Sequence, residues 1–155
     1  MRESFGGAFI IKLVLVFIVI YISFMAIAVE YGKTFRVKNY IINKLEQSQY
    51  SGTASENAVL EEIAIKLGNI GYNRDEIGNS KCRGTNNTSS STELFIKSTD
   101  IVSTTSKLGG GYCLQKIDDG YGHYYKVTTY ITGELKFFNI PVSIPVSGET
   151  KIIYQ

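Results

Sequence analysis

The chain has 155 residues, 16 basic and 14 acidic side chains, a net charge of +2, one histidine, two cysteines and no tryptophan. Setting aside Arg2, Lys12 and Glu3, positive and negative charges nearly balance from Glu30 onward, which excludes a polyelectrolyte surface and with it a nucleic-acid partner. Cys82, Cys113 and His123 are too few for a structural zinc site, and they form no CxxC spacing.

Met1 to Gly7 is a short polar leader with two glycines. From Ala8 to Val29 the only charge is Lys12, and this stretch as a helix at ~1.5 Å per residue matches the thickness of a bilayer's hydrocarbon core. Lys12 lies near the start of the run, where its ammonium can snorkel to the headgroups. Three readings of the segment stand side by side. It is a retained anchor, a cleaved signal peptide with Ala26-Ile27-Ala28 as the small-residue site, or a processed leader. Against the signal peptide, no proline or other break follows Ala28 before about Gln47.

Over residues 30–48 the pattern becomes amphipathic. Ile27, Tyr31, Phe35, Ile42 and Leu45 share one stripe, Lys33, Arg36, Asn43, Lys44 and Gln47 the opposite face, and Lys38 interrupts the stripe. One helix of about 40 residues, roughly 60 Å long, is the simplest object with this pattern. Its first half meets lipid and its second half packs on a folded head. Orientation is argued both ways. Lys33, Arg36, Lys38 and Lys44 follow the apolar run, so the positive-inside bias points the head to the cytoplasm. The cysteine pair, a Ser/Thr/Asn-rich loop and a strand-dominated head favour the outside, which is the expectation adopted.

Ser48 to Gly52 is a polar break, after which Thr53 and Glu56 form a T-x-x-E capping box. The helix it opens is expected to run to about Leu67, to bury Val59, Leu60, Ile63, Ala64 and Leu67, and to stop at Gly68. Glu61 and Glu62 diverge by about 100° and read as solvated charges. Residues 69–92 are turn chemistry, with Cys82 inside them. An even cysteine count in an exported domain favours a Cys82–Cys113 disulfide that pins this stretch to the sheet, and two separate buried thiols are the alternative.

Strands are expected at Glu93–Lys97, Gly111–Asp118, His123–Thr132, Glu134–Phe138, Ile140–Val146 and Thr150–Tyr154. Asp118 to Gly122 supplies a hairpin. Pro141 and Pro145 share parity while Ile140, Val142, Ile144 and Val146 take the other, the pattern of an edge strand with one buried side, whose open edge could accept a neighbouring chain. His123 reads as structural. Gly109-Gly-Gly111 precedes a strand and lacks the Lys-Ser/Thr of a phosphate loop, so it reads as a flexible turn. Asp118 and Asp119 offer too few oxygen ligands for calcium. No catalytic residue, cofactor, metal or small-molecule substrate is expected, and the chain does not read as an enzyme.

The layout of leader, the apolar opening Ala8-Phe9-Ile10-Ile11, amphipathic continuation through Lys38 and β-rich head resembles pilin-like proteins, especially minor pilins and pseudopilins of tight-adherence and other type IV pilus-like systems. The resemblance implies cleavage after a glycine, here between Gly7 and Ala8 or after Gly6. It also implies helix-to-helix contacts with other pilin-like subunits, a single-pass membrane location and a place in a surface filament. Family members carry a glutamate five residues after the cut. This chain has Lys12 there, which makes Lys12 the candidate contact to a neighbouring subunit or to the membrane. The expected fold class is α+β: a long N-terminal helix packed on a C-terminal antiparallel sheet, with one additional short helix and residues 53–155 forming an extracytoplasmic domain.

Overall fold

The computed structural model describes residues 2–49, 57–77, 82, 93–98, 108–118, 120–135 and 140–154, with the side chains of 2–6, 93 and 133–142 outside that description. Helix α1 runs unbroken over Arg2–Ser48, 47 residues, and a second helix, α2, covers Asn57–Ile70. A 3₁₀ turn at Asp75–Ile77 leads toward strand β1, Glu93–Ile96, followed by β2, Tyr112–Asp118, β3, His123–Leu135, and β4, Ile140–Glu149. The strands form one antiparallel meander in the order β1-β2-β3-β4, the α+β architecture expected from the pattern.

The alternation along β3 divides the sheet into two faces. Tyr125 and Val127 of β3, Tyr112 and Leu114 of β2 and Ile96 of β1 join Val37, Ile41 and Leu45 of α1 and Ile63, Leu67 and Tyr72 of the α2 region in the main core. A smaller cluster on the opposite face holds Phe95, Cys113 and Tyr130, with Ile77 and Cys82 against it. On β2 and β3 the main-core residues recur every second position, and Cys113 and Tyr130 take the other parity, because successive strand side chains point to opposite faces. Val37, Ile41 and Leu45 recur at helical spacing because one stripe of α1 lies on the sheet.

Four sequence expectations are corrected. The buried stripe of α1 is Thr34, Val37, Ile41 and Leu45, while Tyr31 and Phe35 remain 53% and 42% exposed. Its centre lies roughly 70° from the anticipated stripe at 100° per residue. Apolar periodicity gave weight to large rings that continue the lipid-facing surface, whereas burial follows the side from which sheet and α2 approach. Helix α2 passes through Gly68 and ends at Gly71, whose φ is 70°. There the Tyr72 amide donates to the Leu67 carbonyl at 2.8 Å and the Gly71 amide to the Gly68 carbonyl at 2.9 Å. That bond pair is a Schellman motif closed by the Leu67–Tyr72 contact, so capping geometry outweighed the earlier glycine.

The third correction concerns the C-terminal strands. Strand β3 continues through Leu135, so the strand anticipated at Glu134–Phe138 is its end as far as the described residues reach. Thr150–Tyr154 contributes a single bridge, Ile153 to His123, instead of a strand. On β4 the even parity does not bury every side chain, for Ile144 is 45% exposed. Fourth, Gly109 to Gly111 is buried and tightly packed, as described below. The Thr53/Glu56 capping box, the Thr85–Thr92 loop and Asp119 lie outside the described residues.

Candidate functional site

The first half of α1 projects away from the head. It is the one helix, among the described residues, long and apolar enough to cross a membrane, and none of its apolar window is buried. Phe9, Phe17 and Phe24 stand at 64–68% exposure on this rod. Gly7 and Ala8, the expected cleavage pair, lie within α1, and a Cβ at Gly7 would meet nothing within 4 Å. Lys12 is exposed on the same rod. From Lys12 to Glu30 the helix carries no charge over about 27 Å, close to the ~30 Å thickness of a hydrocarbon core.

At Glu30 the rod meets the head. The Arg74 guanidinium donates to the Glu30 carboxylate at 2.9 Å, and Lys33 reaches the same carboxylate at 4.0 Å. The Lys33 ammonium also donates to the Gly71 carbonyl at 2.9 Å, one of the orphan acceptors at the end of α2. One acidic residue thus holds two cations from two chain segments, and the 71–74 turn is stapled to α1 where it leaves the head. One turn further on, Tyr31 and Phe35 stack with ring centroids 6.4 Å apart, and the Lys38 ammonium sits 4.4 Å from the Phe35 centroid. Lys44 pairs with Glu62 of α2 at 2.6 Å, and that hydrogen bond to Glu62 raises the Lys44 pKa.

Behind the staple, Tyr72 is fully buried. Its hydroxyl accepts from the Tyr130 amide at 3.0 Å and lies 3.4 Å from the carbonyl oxygens of both Tyr130 and Gly111, the two acceptors within reach of its single proton. It caps β3 beyond Thr128, the last β3 residue paired with β2. Burial pushes its pKa from 10.0 up to about 12.

The glycine run threads through the same region. The Gly109 amide donates to the Ala64 carbonyl, the Arg74 amide donates to Gly110, and the Gly111 amide donates to Ile96. A Cβ at Gly109 would lie 2.3 Å from the Tyr72 carbonyl, at Gly110 2.2 Å from the Ser98 amide, and at Gly111 2.2 Å from Arg74 backbone. The run is a backbone strap between α2 and β1 in which side chains have no room. Asp75 completes it by accepting from the Ser98 amide at 3.0 Å and from the Ser98 hydroxyl.

Cys82 and Cys113 are joined in a disulfide with Cα atoms 5.6 Å apart, and the Cys113 sulfur contacts the Tyr130 hydroxyl at 3.1 Å. The bridge fixes Cys82 to the outer face of β2, as expected of a pin between turn and sheet. His123 is buried, stacks edge-on against Tyr125 and exchanges both backbone bonds with Ile153. Among the described residues no three His, Cys, Asp or Glu side chains gather as a metal site.

Sequence reading singled out Cys82 and Cys113, which the structure joins, and Gly7, Ala8 and Lys12, which it leaves together on the bare rod. It missed the Glu30–Lys33–Arg74 staple and Tyr72. One signal was present: Glu30 is the first acidic residue after Glu3, placed where the apolar run ends. Set against protein-family models, curated proteins and solved structures, the chain matches none.

Proposed function

We propose that the chain is a membrane-anchored, pilin-like assembly subunit. The first half of α1 sits in the bilayer before assembly and then packs against equivalent helices of neighbouring subunits, while the disulfide-bonded head faces outside the cytoplasm. One observation carries this reading: a single unbroken helix is a bare apolar rod in its first half and the spine of a folded head in its second. A signal peptide cut after Ala28 would sever that helix in mid-course. Pairing of Lys33 and Lys44 with carboxylates supports setting aside the positive-inside bias.

The test is the intact mass of the mature protein recovered from membranes. A mature chain beginning at Ala8 is the expected result. A start at Val29 assigns a secreted domain instead, and a start at Met1 a retained anchor. Labelling of a Tyr121→Cys probe, 86% exposed at the β2–β3 hairpin, by an impermeant maleimide on intact cells reports the side of the head. Lys12, standing where the resemblance implies glutamate, favours a second reading: an accessory subunit that stays in the membrane without polymerising. A Val16→Cys variant separates the two, since copy-to-copy disulfides along α1 are expected of a polymerising subunit alone.

A further inference from the structure

We infer that the segment of α1 just beyond the apolar run, Tyr31, Phe35, Arg36 and Lys38, is a docking surface for anionic phospholipid headgroups, which seats the head directly on the bilayer. The inference rests on the membrane-anchor reading above and adds a partner for a surface that reading leaves unassigned.

The placement follows from helix geometry. With Lys12 and Glu30 bracketing an uncharged interval of about 27 Å, Tyr31 lies ~1.5 Å and Phe35 ~7.5 Å beyond Glu30 along the axis, at the depth of the headgroup layer. Both rings are large and substantially exposed although a head packs on the same helix. Stacked rings at the end of a lipid-facing surface match the amphipathic belt that aromatic side chains form at membrane interfaces.

Charge points the same way. Glu30, which would repel an anionic surface, is occupied by Arg74 and Lys33. Arg36 is exposed with no carboxylate in ion-pair distance among the described residues, and the Lys38 ammonium rests on the Phe35 ring. Arg36 and Lys38 therefore place two cations at the level of the phosphate plane, where opposite charge on a lipid headgroup attracts them. The surface is continuous with the bare face of the rod, so the occupant that covers the rod also reaches the rings.

Because the chain has no tryptophan, Phe35→Trp and Phe17→Trp are single-probe variants of the full chain. They are reconstituted in vesicles of phosphatidylcholine with or without phosphatidylglycerol, using lipids brominated either high or low on the acyl chain. The expected result is deep quenching at position 17, and at position 35 shallow quenching that at least doubles with phosphatidylglycerol. Arg36→Gln with Lys38→Gln should remove that dependence while shallow quenching persists. Deep quenching at 17 with none at 35 overturns the lipid dock and leaves the anchor standing. No quenching at either position overturns the anchor itself. A blue shift at 35 that grows with protein-to-lipid ratio and ignores bromine assigns the patch to a second copy of the chain and overturns the proposal.

Discussion

The Tyr72 hydroxyl is a polar group on which three backbone atoms from two segments converge. It satisfies the Tyr130 amide and lies between two carbonyls in the buried core. Tyr72→Phe strands that amide and should cost about 1–3 kcal/mol in urea denaturation. The pH dependence has a definite sign. The folded pKa is raised to about 12 from 10.0, so the stabilising form is the neutral phenol. Its contribution is complete below pH 10 and is lost as pH rises through 10 toward 12, because the unfolded chain ionises first. By pH 11 the loss is roughly 1 kcal/mol, and the Tyr72→Phe curve should be flatter by that amount between pH 9 and 11. Equal slopes in the two proteins would refute the assignment. Gly110 makes a second prediction at this scale. A methyl there meets the Ser98 amide, a backbone atom that cannot swing away, so Gly110→Ala should cost about 3 kcal/mol or more. Gly120→Ala meets nothing within 4 Å and pays only for its φ of 76°, about 1 kcal/mol. Comparable losses in the two variants would mean that the strap is less confined than its geometry requires.

Among the elements, β4 turns an apparent liability into a guard. Tyr130 directs its amide toward Tyr72, away from β4, so its partner Pro145 belongs to a pair that makes no ladder bonds, and the missing Pro145 N–H falls on the free edge. Pro141, four residues earlier and paired with Glu134, occupies the equivalent outward position. The ladder to β3 keeps its bonds while the outer edge loses two donors, the way natural sheets blunt an edge against strand addition. The edge is thus poorly suited to accept a neighbouring strand. Pro145→Thr restores one donor and should increase concentration-dependent association in detergent, read by sedimentation velocity; unchanged association would remove the guard. The parity of Pro141 and Pro145 made this strand legible before any coordinates, as did the alternation of β3 and the unbroken pattern through Ala28. Three features were hidden for a shared reason. The rotation of the α1 stripe, the stop at Gly71 and the packed glycine strap depend on which element approaches from which side, information that single-segment periodicity does not contain. The Glu30–Arg74 pair is a contact of the same kind, 44 residues apart in sequence.

At the scale of the molecule, rod and head share one helix, and their coupling passes through residues 30–34. Glu30 and Lys33 are stapled to the 71–74 turn, Thr34 is the first fully buried residue of α1, and Gly32 stands between them with open space where its Cβ would be. Glycine in a helix interior is less favourable than alanine by about 0.5–1 kcal/mol, because its backbone loses more freedom on ordering. The weakest turn of the helix by propensity is therefore the one that the ion pairs hold from outside. Gly32→Ala should raise amide-exchange protection over residues 29–36 and, because the second half of α1 is a core element, raise the urea midpoint of the head as well. Gly32→Pro removes the N–H that bonds the Ala28 carbonyl and clashes with that turn, which costs about 3 kcal/mol in a continuous helix. If rod and head are coupled through this turn, the proline variant should lose protection on both sides of residue 32 and lower the head's midpoint. A proline variant with an unchanged midpoint would show instead that the head holds its half of α1 without help from the rod, and a cut near Ala28 would then leave a stable domain.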